Sequence, residues 1–140
     1  MQAAVMGLGS WGTAFGLVLA DAGHEVRLWG RNPTTVSAVN SSRRNAQFHQ
    51  DLELPASVTA FAETREALAG ADLVVLAVPA QSLRANLSAW SDQIPPDAVV
   101  LSLLKGLEQG SHARMSDVVA SEAHCPAERI AVLSGPNLAR

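Results

Sequence analysis

Three glycines near the N-terminus follow the spacing G-x-G-x-x-G, a spacing at which a backbone turn can hold phosphate groups. They are Gly7, Gly9 and Gly12; an apolar run precedes them at residues 3–6, and apolar residues at helical spacing follow from Ala14. In such a turn the first glycine permits the sharp change of direction, the second lets the backbone approach a diphosphate, and the third brings the helix close to the sheet. Free amides and the helix dipole favour negative charge there. The pattern predicts a dinucleotide site, and a glycine-rich turn without a ligand is the alternative.

Arg31 is a second candidate group for binding, because it directly follows the second apolar run. Where NAD is preferred, the corresponding strand usually ends with Asp or Glu, which bonds the ribose 2′-hydroxyl. Here the segment reads Leu28-Trp29-Gly30-Arg31 and lacks that carboxylate. A guanidinium can instead pair with the 2′-phosphate of NADP. We therefore predict NADP(H) as the preferred coenzyme and NAD(H) as a second option; an exposed arginine that contacts nothing is the other interpretation.

The glycine turn and Arg31 can meet only if the fold brings distant segments of the chain together. Residue patterns typical of strands and of helices alternate along the chain. Apolar runs predict strands at residues 3–6, 25–29, 58–61, 72–78, 98–104 and 129–133. Helical spacing of apolar residues predicts helices at residues 10–22, 34–43, 63–69, 81–90 and 111–122. The continuous run at 72–78 is typical of a strand buried on both faces of a parallel sheet. The sequence thus predicts one α/β domain over residues 1–140, with a Rossmann-like, doubly wound, mostly parallel sheet and helices on both faces.

Ligands of such a sheet bind beyond the carboxyl ends of its strands. The segments that follow the predicted strands are residues 7–12, 30–31, 79–81, 105–106 and 134–137, and we expect them to meet at one crevice. Pro79 follows the central strand. Lys105 follows the next one, where its ammonium would suit a phosphate or a polarised ketone. An ordinary surface lysine, and an ordinary turn at 134–137, are the alternatives.

The bulk composition narrows the class of protein. The formal net charge of −3 argues against a general binder of nucleic acid or membrane surfaces. The longest apolar run, at residues 73–79, is far shorter than the roughly 20 residues of a membrane span. A single cysteine, Cys125, and a start without a basic, apolar leader predict a cytoplasmic protein. The four histidines are scattered, so we predict no metal site and treat each as a surface or loop residue.

Five segments resemble, in order and spacing, the N-terminal part of bacterial-type NAD(P)-dependent glycerol-3-phosphate dehydrogenase. They are GLGSWGTA at residues 7–14, LWGR at 28–31, AVPAQ at 77–81, KGLE at 105–108 and LSGPNLA at 133–139, so that the resemblance covers the whole chain. It implies reversible hydride transfer between NAD(P)H and dihydroxyacetone phosphate. The product, sn-glycerol 3-phosphate, feeds phospholipid synthesis.

The resemblance also implies roles for individual residues. Ser10 and Trp11 match coenzyme contacts in the glycine turn, Arg31 matches a contact to the adenosine end, and Lys105 matches a lysine that touches both coenzyme and substrate. With the residues already discussed, the predicted coenzyme contacts are Gly7, Gly9, Ser10, Trp11, Gly12, Arg31, Phe48, Pro79, Lys105 and Ala139, and the predicted substrate contacts are Lys105, Gly135 and Asn137.

Residues 45–50 depart from the pattern Asn-x-x-Tyr-Leu-Pro that is common in this family. Phe48 stands at the tyrosine position, where it keeps a stacking face for the coenzyme and loses the hydroxyl. Ala80 stands where serine is common, which we expect to matter little.

The resemblance implies that the catalytic group lies outside this chain. In the family, a second, helical C-terminal domain carries substrate recognition and the principal catalytic lysine, and a chain ending at Arg140 lacks that domain. We therefore expect no catalytic residue here and little or no turnover by the chain alone, with a homodimer as one option for the parent protein. The alternatives are another two-domain reductase, such as a hydroxyacid or ketopantoate reductase relative, a stand-alone nucleotide-sensing module, and a folded domain that binds nothing.

Overall fold

A six-stranded parallel sheet forms the centre of the molecule. The computed structural model describes residues 1–135. The strands are β1 (Gln2–Met6), β2 (Glu25–Trp29), β3 (Val58–Phe61), β4 (Leu73–Leu76), β5 (Val99–Ser102) and β6 (Ile130–Val132), and their order across the sheet is β3-β2-β1-β4-β5-β6. Every pairing in that sheet is parallel. The predicted doubly wound fold is confirmed, with the strand order of a dinucleotide-binding sheet.

Helices cover both faces of this sheet, as predicted. They are α1 (Ser10–Asp21), α2 (Pro33–Ser42), α3 (Thr64–Leu68), α4 (Leu83–Trp90) and α5 (Met115–Glu122). Leu19, Val36 and Val39 of α1 and α2 pack into one apolar core, whereas Leu68, Leu87 and Val119 of α3 to α5 belong to the other. Because the central strands β1 and β4 are covered from both sides, they carry apolar residues at successive positions.

Several predicted elements differ in extent at the carboxyl edge of the sheet, among them the strand and the helix on either side of the loop after β5. The helix predicted at 111–122 begins only at Met115, because residues 107–114 fold into a loop closed by a bridge between Leu107 and Arg114. His112 in that loop has a φ of 58°, which is outside the helical region. The strand predicted at 98–104 ends at Ser102, so Leu103 and the residues after it leave the sheet toward the crevice.

Two of the three N-terminal glycines are required by the packing of the fold itself. Gly7 has a φ of 147°, and a Cβ there would lie 2.4 Å from the carbonyl oxygen of Ala77. A Cβ on Gly12 would lie 2.0 Å from the carbonyl oxygen of Gly7. Because both obstacles are backbone atoms, a larger residue would force β1, β4 and α1 apart.

We expect Gly12→Ala to lower the free energy of unfolding by about 1–3 kcal/mol or more, because the methyl group has no space. The matched control is Gly9→Ala in the same turn: its φ is −83°, and nothing lies within 4 Å of its added Cβ. That variant should lose less than about 1 kcal/mol, the cost of alanine at a helix N-cap. Urea unfolding followed by circular dichroism measures both. Equal losses would contradict this account of Gly12.

Candidate functional site

A cleft of about 630 Å³ opens at the carboxyl edge of the sheet. It is lined by residues from four of the five segments expected to converge: residues 7–11 after β1, 29–32 at the end of β2, 77–80 after β4 and 103–105 after β5. The cleft lies where the strand order reverses, because β1 has β2 on one side and β4 on the other. The prediction of one crevice is thus met by these four segments.

The N-terminus of α1 lies at this cleft. Within residues 1–135, no side chain of the protein offsets the partial positive charge of its first backbone amides. Its N-cap is Gly9, no side chain caps it, and its first turn carries no acidic residue. Helix α2 begins beside the same cleft but is capped, because the Asn32 side chain accepts hydrogen bonds from the amides of Thr34 and Thr35. Of these two helix starts, that of α1 is the one prepared for an anion.

Gly9 is the glycine of the turn that the fold does not explain. Its backbone is extended, and a Cβ would meet open space. A side chain at this position would therefore fill the region in front of the helix amides rather than disturb the protein. The absence of a side chain keeps that region open, as a diphosphate lying against the backbone requires.

Two exposed aromatic side chains stand beside the turn. Trp11 is 41% exposed, and its ring centroid lies 6.1 Å from that of Phe15, so it does not pack into the core of the sheet. Phe48 is 44% exposed and lines the cleft together with its neighbour Gln47. Both predicted coenzyme residues thus present apolar surface at the cleft rather than in the core.

The charge of the cleft is positive. Arg31 and Lys105 are its charged lining residues, and among the described residues that line it there is no aspartate or glutamate. Within residues 1–135, the exposed Arg31 side chain forms no hydrogen bond or ion pair. The Lys105 ammonium donates a hydrogen bond to the carbonyl oxygen of Gly135 at 2.8 Å. Such a lining attracts a polyanion and repels a cation.

The other predicted site residues are distributed as follows. Pro79 lines the cleft, and Gly7, Gly9, Ser10 and Trp11 line it as part of the turn, with Gly12 behind them in α1. Gly135 meets Lys105. Asn137 and Ala139 lie outside the described residues.

Comparisons with known proteins bear directly on this arrangement. The family model described as the N-terminus of NAD-dependent glycerol-3-phosphate dehydrogenase matches residues 2–140. The chain belongs to this family. A glycerol-3-phosphate dehydrogenase [NAD(P)+] from Corynebacterium jeikeium is 54% identical over all of this chain, which spans 42% of that relative's length.

Solved structures agree with the family model. A glycerol-3-phosphate dehydrogenase from Coxiella burnetii superposes with a TM-score of 0.88 at 30% identity, covering 98% of this chain and 41% of that one. A ketopantoate reductase from Ralstonia eutropha reaches a TM-score of 0.69 at 28% identity, covering 94% of this chain and 40% of that one. The fold is therefore shared with the alternative class of reductase, but the likeness is greater to the dehydrogenase.

In this member of the dehydrogenase family, the segment that carries Lys105 is held by side chains of the neighbouring helical segment. The Gln81 amide donates to the carbonyl of Leu107 and accepts from the amide of Gln109, at 3.0 and 2.8 Å. The Arg84 guanidinium donates to both carboxylate oxygens of Glu108 at 2.8 and 2.9 Å. Hydrogen bonds from Arg84, and then from Ser111, lower the pKa of Glu108 to about 2, so this clamp persists at neutral pH.

Sequence reasoning missed the role of the loop between α2 and β3. Asn45 lies between the helix predicted at 34–43 and the strand predicted at 58–61, yet it is 1% exposed and donates from Nδ2 to the carbonyl of Leu8 and to Thr13 Oγ1, at 3.0 and 2.9 Å. His49, expected to be a surface or loop histidine, is half-buried with Nε2 at 2.8 Å from the carbonyl oxygen of Ser10. Nothing in the local sequence signals these contacts, because both join residues more than 30 positions apart.

Three further findings concern the described part of the chain. Within residues 1–135, no three or more histidine, cysteine, aspartate or glutamate side chains cluster as metal ligands would. Burial raises the pKa of the Cys125 thiol, which disfavours the reactive thiolate. Among the same residues, no helix has the length and apolar character needed to span a bilayer.

We expect Asn45→Ala to lower the free energy of unfolding by about 1–3 kcal/mol, because the carbonyl of Leu8 and the hydroxyl of Thr13 lose a buried donor. The control is Gln47→Ala, two residues along the same loop, where the side chain is exposed; its effect should stay within about 0.5 kcal/mol. Urea unfolding of both variants measures the difference. Similar stabilities would show that Asn45 does not anchor the loop.

Proposed function

We propose that this chain is the coenzyme-binding domain of an enzyme that interconverts dihydroxyacetone phosphate and sn-glycerol 3-phosphate with NAD(P)H. The observation that carries the proposal is the uncapped start of α1, which faces a positively lined cleft across the open space at Gly9. This arrangement suits the diphosphate of a dinucleotide. The names of the relatives, with which this chain shares about half its residues, supply the reaction.

The proposed coenzyme contacts follow the cleft from one end to the other. The turn from Gly7 to Gly12 holds the diphosphate, Arg31 lies at the adenosine end, and Trp11 and Phe48 offer apolar faces. Pro79 and Lys105 lie toward the other end. In the same proposal Gly135 and Asn137 face the substrate, and Ala139 faces the coenzyme.

Lys105 has a defined part in this reaction. A bound reduced nicotinamide would supply a hydride to the carbonyl carbon of the ketone, and the carbonyl oxygen would take a proton from a general acid outside this chain. The Lys105 ammonium, oriented by its bond to the Gly135 carbonyl, would stabilise the negative charge of the substrate phosphate or of the carbonyl oxygen as it develops. We place the principal catalytic lysine and most substrate recognition in a second domain, which would also exclude water from the hydride transfer.

The single, buried Cys125 fits a reducing cytoplasm.

The decisive assay measures oxidation of NADPH by dihydroxyacetone phosphate. This chain is compared with a version extended past Arg140 by the remaining part of the Corynebacterium jeikeium relative. Activity in the extended protein but not in this chain supports the proposal that coenzyme binding and catalysis are divided between two domains. Coenzyme binding without activity in either protein would favour a nucleotide-sensing module, and no binding by either would contradict the proposal.

We expect Gly9→Ala to weaken NADPH binding by about tenfold or more while the protein stays folded, because the methyl group stands where the diphosphate must approach the amides. Isothermal titration calorimetry gives the affinity, and circular dichroism verifies the fold. The control is Val18→Ala on the exposed side of α1, which should bind as the wild type does. Unchanged affinity in the Gly9 variant would exclude this turn as the diphosphate site.

We expect Arg31→Asp to weaken NADPH binding roughly tenfold to a hundredfold and NADH binding much less, because the loss of a charge-assisted contact to the 2′-phosphate is worth about 1.5–3 kcal/mol. The matched control is Arg65→Asp, which makes the same change of net charge at an exposed site on α3. Titration of both nucleotides against both variants measures the contrast. Equal losses for NADPH and NADH would defeat the preference for NADP(H).

A further inference from the structure

Two walls of the cleft are joined by a side chain that does not line it. The β4 wall consists of residues 77–80, and the β5 wall consists of residues 103–105. Gln81 directly follows the β4 wall. Its side-chain amide donates to the carbonyl of Leu107 at 3.0 Å and accepts from the backbone amide of Gln109 at 2.8 Å. One side chain therefore connects the β4 wall to the chain that continues from the β5 wall.

The backbone that carries Gln81 is firmly supported. Residues Ala80–Ser82 form one 3₁₀ turn. The carbonyl of Pro79 accepts hydrogen bonds from both the amide and the hydroxyl of Ser82, at 2.9 and 2.8 Å. Leu83, the next residue, is fully buried and anchors the turn in the core. The position of Gln81 is thus set by its own segment and by the core beneath it.

The chain beyond the β5 wall lacks such support from the core. Residues 105–112 contribute no side chain to either apolar core, and Leu107 is 50% exposed. The backbone of this segment has a φ of 90° at Gly106 and of 58° at His112, the latter a conformation that residues other than glycine rarely adopt. A segment of this kind keeps one conformation when specific contacts hold it.

Two side chains that follow the β4 wall make such contacts. Arg84 pairs with Glu108, three positions after Lys105, and also pairs with a carboxylate of α5, so it joins helices as well. Gln81 contacts Leu107, two positions after Lys105. Of these two contacts, that of Gln81 is nearer along the chain both to the lysine and to the β4 wall.

We propose that Gln81 is a positioning residue, whose amide fixes the spacing of the two walls and so holds the Lys105 ammonium against a coenzyme bound between them. This inference rests on the proposed function, because it requires a dinucleotide in the cleft. Gln81 does not line the cleft, so it acts through Lys105. Without the amide, the ammonium would spend less time in the direction that a charge-assisted contact requires.

The test is a double-mutant cycle on the 140-residue chain, with NADPH affinity measured by isothermal titration calorimetry. We expect Lys105→Ala to bind NADPH about tenfold or more weakly, and Gln81→Ala about threefold to tenfold more weakly. In the Lys105→Ala background, the Gln81 substitution should change the affinity by less than about twofold, because no ammonium remains to be positioned. A general loss of structure would instead weaken binding equally in both backgrounds.

Gln109→Ala is the matched control. It removes a glutamine side chain on the other side of the same contact but keeps the backbone amide that donates to Gln81. The Gln109 side chain is exposed, so this variant should bind NADPH as the wild type does. Circular dichroism verifies the fold of every variant.

A second measurement needs no ligand. The heteronuclear ¹H–¹⁵N NOE of the Lys105 and Gly106 amides reports their motion on the picosecond to nanosecond timescale. We expect lower NOE values in Gln81→Ala than in the wild type, because the segment loses a contact that holds it, and no change in Gln109→Ala.

The outcomes separate this inference from the proposed function. NADPH binding by the wild type with no loss in Gln81→Ala or in Lys105→Ala, or with an equal Gln81 effect in both backgrounds, would overturn this inference alone. Unchanged NOE values in Gln81→Ala would do the same. Absence of NADPH binding by the wild type would overturn the proposed function and this inference together.

Discussion

The close approach of three backbone segments at the end of β1 is the constraint on which the rest of the structure depends. Gly7 passes against the carbonyl of Ala77, and Gly12 passes against the carbonyl of Gly7. This contact brings the start of α1 directly above the point where the sheet order reverses. Were α1 farther from the sheet, its first amides would not open into the cleft, and the ends of β2, β4 and β5 would surround an empty surface.

The cleft is therefore built by backbone geometry, and the side chains that give it charge come from separate parts of the chain. The dipole and the uncapped amides of α1 favour any anion. Arg31 and Lys105 add positive charge toward opposite ends of the cleft. Each cation is supported differently. Arg31 is exposed, whereas the Lys105 segment is clamped by Gln81 and by the bidentate bond between Arg84 and Glu108. Under the proposed function, the clamped end would position the reacting groups, and the exposed end would recognise a nucleotide that must enter and leave.

Much of this arrangement could be predicted from the sequence, and the reason lies in local patterns. Buried parallel strands are continuous apolar runs, and the spacing G-x-G-x-x-G marks a strand-turn-helix of this kind in the sequence itself, so β1, β4 and α1 were predictable. The loop after β5 was not predictable from its own residues. The amide of Glu108 donates to the carbonyl of Ala113, and Leu107 forms a bridge with Arg114, so these contacts override the helical spacing before Met115. The roles of Asn45 and His49 were hidden for a related reason: their partners are brought near only by the completed fold.

The three tryptophans of this chain occupy unlike surroundings, with an optical consequence. Trp29 and Trp90 are buried, with their ring centroids 6.3 Å apart, whereas Trp11 stands half in solvent at the glycine turn. Emission at long wavelengths should therefore come mainly from Trp11. Reduced nicotinamide absorbs in that region of the spectrum. Under the proposed function, Trp11 would therefore act as a donor for energy transfer to a coenzyme bound in the cleft.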